Sequence, residues 1–145
     1  MKLFQIEEPD GSPSDPEAPG AAVGIDVSGA RAEVAISVGG NAVLLADRDG
    51  FELDLTVPPP DASGVVWQGL LEGARLRAER ALARPVTHAV LVAREESADR
   101  LHDTAAAAGL LVLRVLGPDA TTGGEMPACA AAVLAEDLAP RASAS

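Results

Sequence analysis

Ala22-Val23-Gly24-Ile25-Asp26-Val27-Ser28-Gly29-Ala30, followed by Ala32-Glu33-Val34-Ala35-Ile36, is the stretch that decides the fold. An apolar run climbs to an aspartate, a Gly-containing turn follows, and an alternating strand leads back. In an α/β protein this order presents a carboxylate and several backbone N–H groups at the mouth of a cleft. A turn of this kind holds a phosphate through its N–H donors and a hydrated metal through its carboxylate. Asp26, Val27, Ser28, Gly29 and Ala30 are therefore candidate phosphate-binding residues, and Asp26 is the candidate metal ligand.

Working outward, the returning strand spans 32–38 and ends at Gly39-Gly40-Asn41, a hairpin signal. A third strand covers 42–45. Asp47-Arg48-Asp49-Gly50 turns the chain into 51–57, where Phe51, Leu53, Leu55 and Val57 alternate with polar residues as an extended edge segment does. Pro58-Pro59-Pro60 stops it. Asp61 or Ser63 caps a helix to about Ala83, with Val66, Leu70, Leu71, Ala74, Ala78 and Leu82 on one face and Trp67 on its shoulder. Residues 88–92 form a buried strand. A helix capped by Ser97 ends at Gly109, and 110–116 form another buried strand. A Gly-rich loop at 117–124 precedes an Ala-rich helix over 126–138, with Pro127 in its first turn. The order β-β-β-α-β-α-β-α predicts an α/β fold with a mixed five-stranded sheet, three antiparallel strands followed by two crossover strands. This is the ribonuclease-H-like order. The domain expectation is a flexible segment and linker over 1–21, one lobe over 22–139 and a disordered tail over 140–145.

Composition narrows the function classes. The 145 residues suffice for one core. Apolar residues make up 48% and aromatics only 2%, so the core is built from Ala, Val and Leu and modest stability is expected. A net charge of −11 lacks the basic stripe that a nucleic acid requires. Arg75, Arg77, Arg80 and Arg84 alternate with Glu72 and Glu79 as a solvated helix face does. The single cysteine, Cys129, excludes an internal disulfide and a thiolate metal site and reads as a small core residue. His88 and His102 have no histidine partner at ligand spacing. Glu7, Glu8 and Asp10 stand where a secretion signal would be apolar, and no apolar run reaches the ~18 residues of a membrane span. A cytoplasmic protein is expected, with no nucleic-acid and no membrane partner.

Four collinear stretches resemble DnaK-type chaperone ATPases, most closely the HscA branch devoted to iron–sulfur cluster assembly. Leu3-Phe4-Gln5-Ile6-Glu7-Glu8-Pro9 is similar to that branch's Leu-Leu-Gln-Ile-x-Glu-Pro opening. The stretch at 22–35 is similar to the Gly-Ile-Asp-Leu-Gly-Thr-Thr phosphate loop of the actin-like ATPases and its following strand. Residues 39–50 are similar to the next hairpin. Pro85-Val86-Thr87-His88-Ala89-Val90-Leu91-Val92, then Asp99-Arg100 through Ala108-Gly109-Leu110 to Leu113-Arg114-Val115-Leu116, is similar to the family's strand–helix–strand unit. The resemblance covers nearly the whole chain. It implies one lobe of an actin-like ATPase, in which Asp26 orients metal-bound water and residues 27–30 meet the β- and γ-phosphates.

The departures carry equal weight. Ser28-Gly29-Ala30 replaces Gly-Thr-Thr, so both threonine hydroxyls are missing. The subdomain that carries the family's catalytic lysine is replaced by three prolines, and the only lysine is Lys2. The family's Asn-Glu-Pro after the last strand has no clean counterpart, and Asp119 or Glu125 is the candidate stand-in for its glutamate. The second lobe and the peptide-binding domain have no counterpart. An ATPase of this type closes two lobes on its nucleotide. The expectation is thus a non-catalytic lobe acting as a protein-binding or regulatory module. No catalytic residue and no required cofactor are expected; ATP or ADP with Mg²⁺ is the weak ligand the resemblance implies. The partner is a protein or a second copy, with iron–sulfur assembly or chaperone components implied by the resemblance. Leu3, Phe4 and Ile6 are the candidate docking anchor, and the small side chains of the final helix are expected to allow close approach of a partner. A metal-dependent nuclease, using Asp26 with Glu95 or Glu96, is the third reading.

Overall fold

The computed structural model describes residues 21–45, 55–120 and 126–139. The expectations for Leu3, Phe4 and Ile6, the linker before Ala21, residues 46–54, Glu125 and the tail from 140 lie outside the described residues. Five strands and three helices follow one another as β1 (Ala21–Asp26), β2 (Glu33–Val38), β3 (Asn41–Leu44), α1 (Gly64–Leu82), β4 (Val86–Val92), α2 (Glu95–Ala107), β5 (Leu111–Leu116) and α3 (Pro127–Leu138), with a 3-10 turn at Pro118–Ala120.

The strands form one sheet in the order β3-β2-β1-β4-β5. β1 pairs antiparallel with β2 and parallel with β4; β2 pairs antiparallel with β3, and β4 parallel with β5. This is the expected α/β class with a mixed five-stranded sheet. The β2–β3 connection is the two-residue turn Gly39-Gly40, whose φ angles of +62° and +85° are accessible to glycine at little cost.

Alternation along β1 sorts the core into two layers. Val23 and Ile25 face α1 and α2, in a cluster with Val34, Leu55, Trp67, Leu71, Leu91 and Leu101. On the opposite face, Val90 and Val92 meet Ala131 and Ala135 of α3, while Ala35 meets Ala128 and Ala132. Gly24 makes this second layer possible. A Cβ there would stand 2.3 Å from the Ala132 nitrogen and 2.4 Å from the Ala128 oxygen. Of the alanines of α3, Ala128, Ala131, Ala132 and Ala135 are thus fully buried against the chain's own sheet, and Ala130 is half-buried. Glu136 fastens the end of α3 to the first hairpin: its carboxylate accepts from Ser37 Oγ at 2.7 Å and from the N–H groups of Gly39 and Gly40 at 2.7 and 2.9 Å.

The helices depart from the sequence reading in three places. Trp67 is 1% exposed and Val66 is 52% exposed, so the buried face of α1 runs Trp67, Leu70, Leu71, Ala74, Ala78. Trp67 Nε1 donates to the Pro59 carbonyl at 3.2 Å, which holds the large ring inward beneath the proline segment. Ser63 occupies the N-cap position of α1, but its side chain makes no capping bond. α2 begins before Ser97: Arg94 is its N-cap residue, Ser97 is buried in the first turn, and Glu95 and Glu96 stand at the positive end of the helix dipole. α2 closes as expected at Gly109 (φ +90°), with Gly109 N–H on the Ala106 carbonyl and Leu110 N–H on that of Ala105, a Schellman pair. Among the described residues β5 is at the edge of the sheet, and it is half-exposed rather than buried, with Leu111 59% exposed. Of the extended segment at 51–57, the described part places Leu55 wholly inside the core and Thr56 in a bridge to Arg31.

Candidate functional site

β1 is the central strand, and Asp26 is its last residue. The backbone continues in register for one more step, with Val27 N–H donating to the Val92 carbonyl at 2.8 Å and the Val27 side chain buried. The chain then bends through Ser28, Gly29 and Ala30. Two contacts pin the bend from outside. Arg94, just past the end of the parallel neighbour β4, donates from Nε to the Ser28 carbonyl at 3.0 Å. Val57 N–H donates to the Ala30 carbonyl at 2.9 Å.

The decisive geometry is internal to the bend. Asp26 is 7% exposed, and its Oδ1 accepts from Ser28 N–H at 2.9 Å and from Ser28 Oγ at 2.6 Å. A carboxylate this buried requires donors, and Ser28 supplies two. The same backbone N–H is one of the groups the loop would aim at a phosphate. Here it is turned inward onto the carboxylate. Gly29 has nothing within 4 Å of where a Cβ would stand, so no close approach of another group requires a glycine there.

Beside the bend lies a cavity of about 580 Å³, bordered by Asp26, Ser28, Gly29, Arg31, Glu33 and Arg77 among others. Asp26 and Glu33 are directly opposite each other across the β1–β2 ladder. Burial first, and the Arg31 charge second, hold the Arg77 guanidinium below the usual arginine value. The structure thus brings Asp26, Ser28, Gly29 and Ala30 to one rim, with Val27 behind them in the core.

The other acidic candidates are elsewhere. Glu95, Glu96 and Asp119 line a separate cavity of about 560 Å³ beyond the ends of β4 and β5. Asp26 is not among the residues that line it. Among the described residues, no group of three or more His, Cys, Asp or Glu side chains is placed to hold a metal ion. His102 is exposed on α2, and Cys129 is half-buried against the cluster of Ala35, Ala128 and Ala132.

No family model matches this chain, and no curated protein matches it. Among the described residues, no helix is long and apolar enough to cross a membrane.

Arg31, Arg77 and Arg94 are the residues that the sequence reading missed around the bend. Arg94 had a usable signal: it directly follows an apolar strand that a crossover places parallel to β1, so its Cα had to fall beside the end of β1. Arg77 had none, because its approach to Arg31 depends on how α1 lies across the sheet.

Proposed function

We propose that this chain is a catalytically silent, ribonuclease-H-like lobe related to DnaK-type chaperone ATPases of the HscA branch, acting as a protein-binding or regulatory module connected with iron–sulfur cluster assembly. The observation that carries the reading is the Asp26–Ser28 turn. Oδ1 of the candidate metal carboxylate and the first loop N–H satisfy each other, together with the only hydroxyl the loop retains. A nucleotide at this loop would gain a contact from the Ser28 N–H or hydroxyl only by displacing a hydrogen bond to a buried carboxylate. The strand order and the position of Asp26 at the end of the central strand support the ribonuclease-H-like part of the reading. The lone lysine, Lys2, gives the family's catalytic lysine no counterpart between Val57 and Asp61.

Weak nucleotide binding is the second reading. It is favoured by the cavity of about 580 Å³ beside the bend and by the two arginines at its rim.

Two measurements test the proposal together. Purified protein is expected to hydrolyse no ATP above background with Mg²⁺, and to retain an identified chaperone or iron–sulfur assembly component from native extract. A hydrolysis rate abolished by Asp26→Ala overturns the catalytic silence. A pulldown and a sedimentation profile that return a strict monomer with no such component overturn the module reading.

A further inference from the structure

The outer edge of β5 carries an inference that does not rest on the functional reading above. Among the described residues β5 is the last strand of the sheet and nothing pairs with its outer side. Five of its six residues are apolar, yet none is buried: Leu111 is exposed, and Val112, Leu113, Val115 and Leu116 are half-buried. Its single charge, Arg114, is exposed. An edge of this length, with no proline and one charge, lacks the usual devices that prevent another strand from pairing with it.

The chain holds few candidates to cover it. The residues that flank 46–54 are held on the opposite side of the sheet, Leu45 on β2 and Leu55 on Ala32. Residues 121–125 read Thr-Thr-Gly-Gly-Glu, and 140–145 read Pro-Arg-Ala-Ser-Ala-Ser; neither has an apolar strand former. Residues 1–20 contain one, Leu3-Phe4-Gln5-Ile6. From Ala21 on the central strand, a position outside β5 lies three strand spacings away, about 14 Å. A flexible coil of the length of 7–20 would span roughly 20 Å. The β3 edge is equally near, but β3 has four residues and no charged side chain. β5 has six residues and Arg114, and Glu7-Glu8 directly follows Ile6. A strand formed by Leu3, Phe4, Gln5 and Ile6 beside β5 brings a glutamate within about two residues of that arginine. Tethering holds the segment at an effective concentration of order millimolar.

We propose that residues 3–6 add to the outer edge of β5 as a sixth strand of the same chain, with Leu3, Phe4 and Ile6 covering its half-exposed apolar residues and Glu7 or Glu8 pairing with Arg114. Strand addition of this kind takes affinity from main-chain hydrogen bonds and register from the side chains.

Two experiments on the full-length chain test it. Amide hydrogen exchange at 111–116 is expected to be at least tenfold faster in Phe4→Asp/Ile6→Asp than in the parent, with the amides of β1 unchanged. Equal exchange at 111–116 overturns the proposal. In the second, a nitroxide is placed at Gln5→Cys in a Cys129→Ser background. It is expected to broaden the amides at 111–116 more strongly than those at 41–44. Strongest broadening at 41–44, or none at either edge, overturns it. So does broadening that appears only between labelled and unlabelled molecules, which would make the occupant a second copy or, with none in any mixture, leave the edge to a different protein.

Discussion

At the scale of single residues, the bend after β1 is governed by one carboxylate and one serine. Ser28 donates twice to Asp26 Oδ1, and a hydrogen bond to a buried charge stabilises by about 1.5–3 kcal/mol. Ser28→Ala removes the hydroxyl donor and keeps the N–H. Its unfolding free energy in urea should therefore fall by about 1.5–3 kcal/mol, while Gly29→Ala, which meets open space, should change it by less than about 0.5 kcal/mol. Similar losses in the two variants would show that the turn, not the serine–carboxylate bond, governs local stability. The position of Asp26 was legible from the sequence because an apolar run ending in Asp, then Ser-Gly-Ala, marks the end of a strand. The inward turn of Ser28 was not, since a serine two residues after an aspartate fits both an exposed loop and an Asx-type turn. Burial decides between them, and burial here depends on β2 and β4 on either side of β1.

At the scale of elements, α3 lies on the sheet at a distance set by Gly24. Because the clash positions are the backbone atoms Ala132 N and Ala128 O, no rotamer change relieves a methyl group there. Gly24→Ala should cost about 3 kcal/mol or more and displace α3, seen as loss of protection along 127–138 in hydrogen exchange. A variant that melts with the parent would mean that the helix slides without penalty. Strands and helices were legible here from alternation and from the Gly39-Gly40 and Gly109 stops, because those signals are local. What escaped was which way a helix faces and where the sheet ends. Trp67 is inward because Pro59 offers its indole a carbonyl, and β5 is half-exposed because its outer side has no pairing strand among the described residues. Both depend on segments distant in sequence or on topology, which periodicity does not record.

At the scale of the whole molecule, a core with one tryptophan and many alanines has little surplus stability, so one buried titratable group is felt. His88 on β4 is 9% exposed, its Nδ1 lies 2.7 Å from Thr87 Oγ1, and burial holds its pKa below the usual histidine value. The unfolded chain therefore binds this proton more readily than the folded one. Its effect is absent well above pH 6.5; stability falls as the pH drops below about 6.5 and stops falling once the folded form is also protonated. Melting temperature should decline more steeply between pH 7 and 5 for the parent than for His88→Gln, and equal slopes would assign the decline to the carboxylates alone. The Glu136 clamp adds a consequence for synthesis. Ser37 and Glu136 are 99 positions apart, and α3 packs on one face of the sheet, against Ala35, Val90 and Val92. At a translation rate of roughly 5–20 residues per second, the first hairpin leaves the ribosome about 5–20 s before the helix that shields it. During that interval Ala35, and Val90 once it has been made, face water, and the nascent chain has reason to be held by whatever guards unfinished sheets until the 12 residues of α3 emerge.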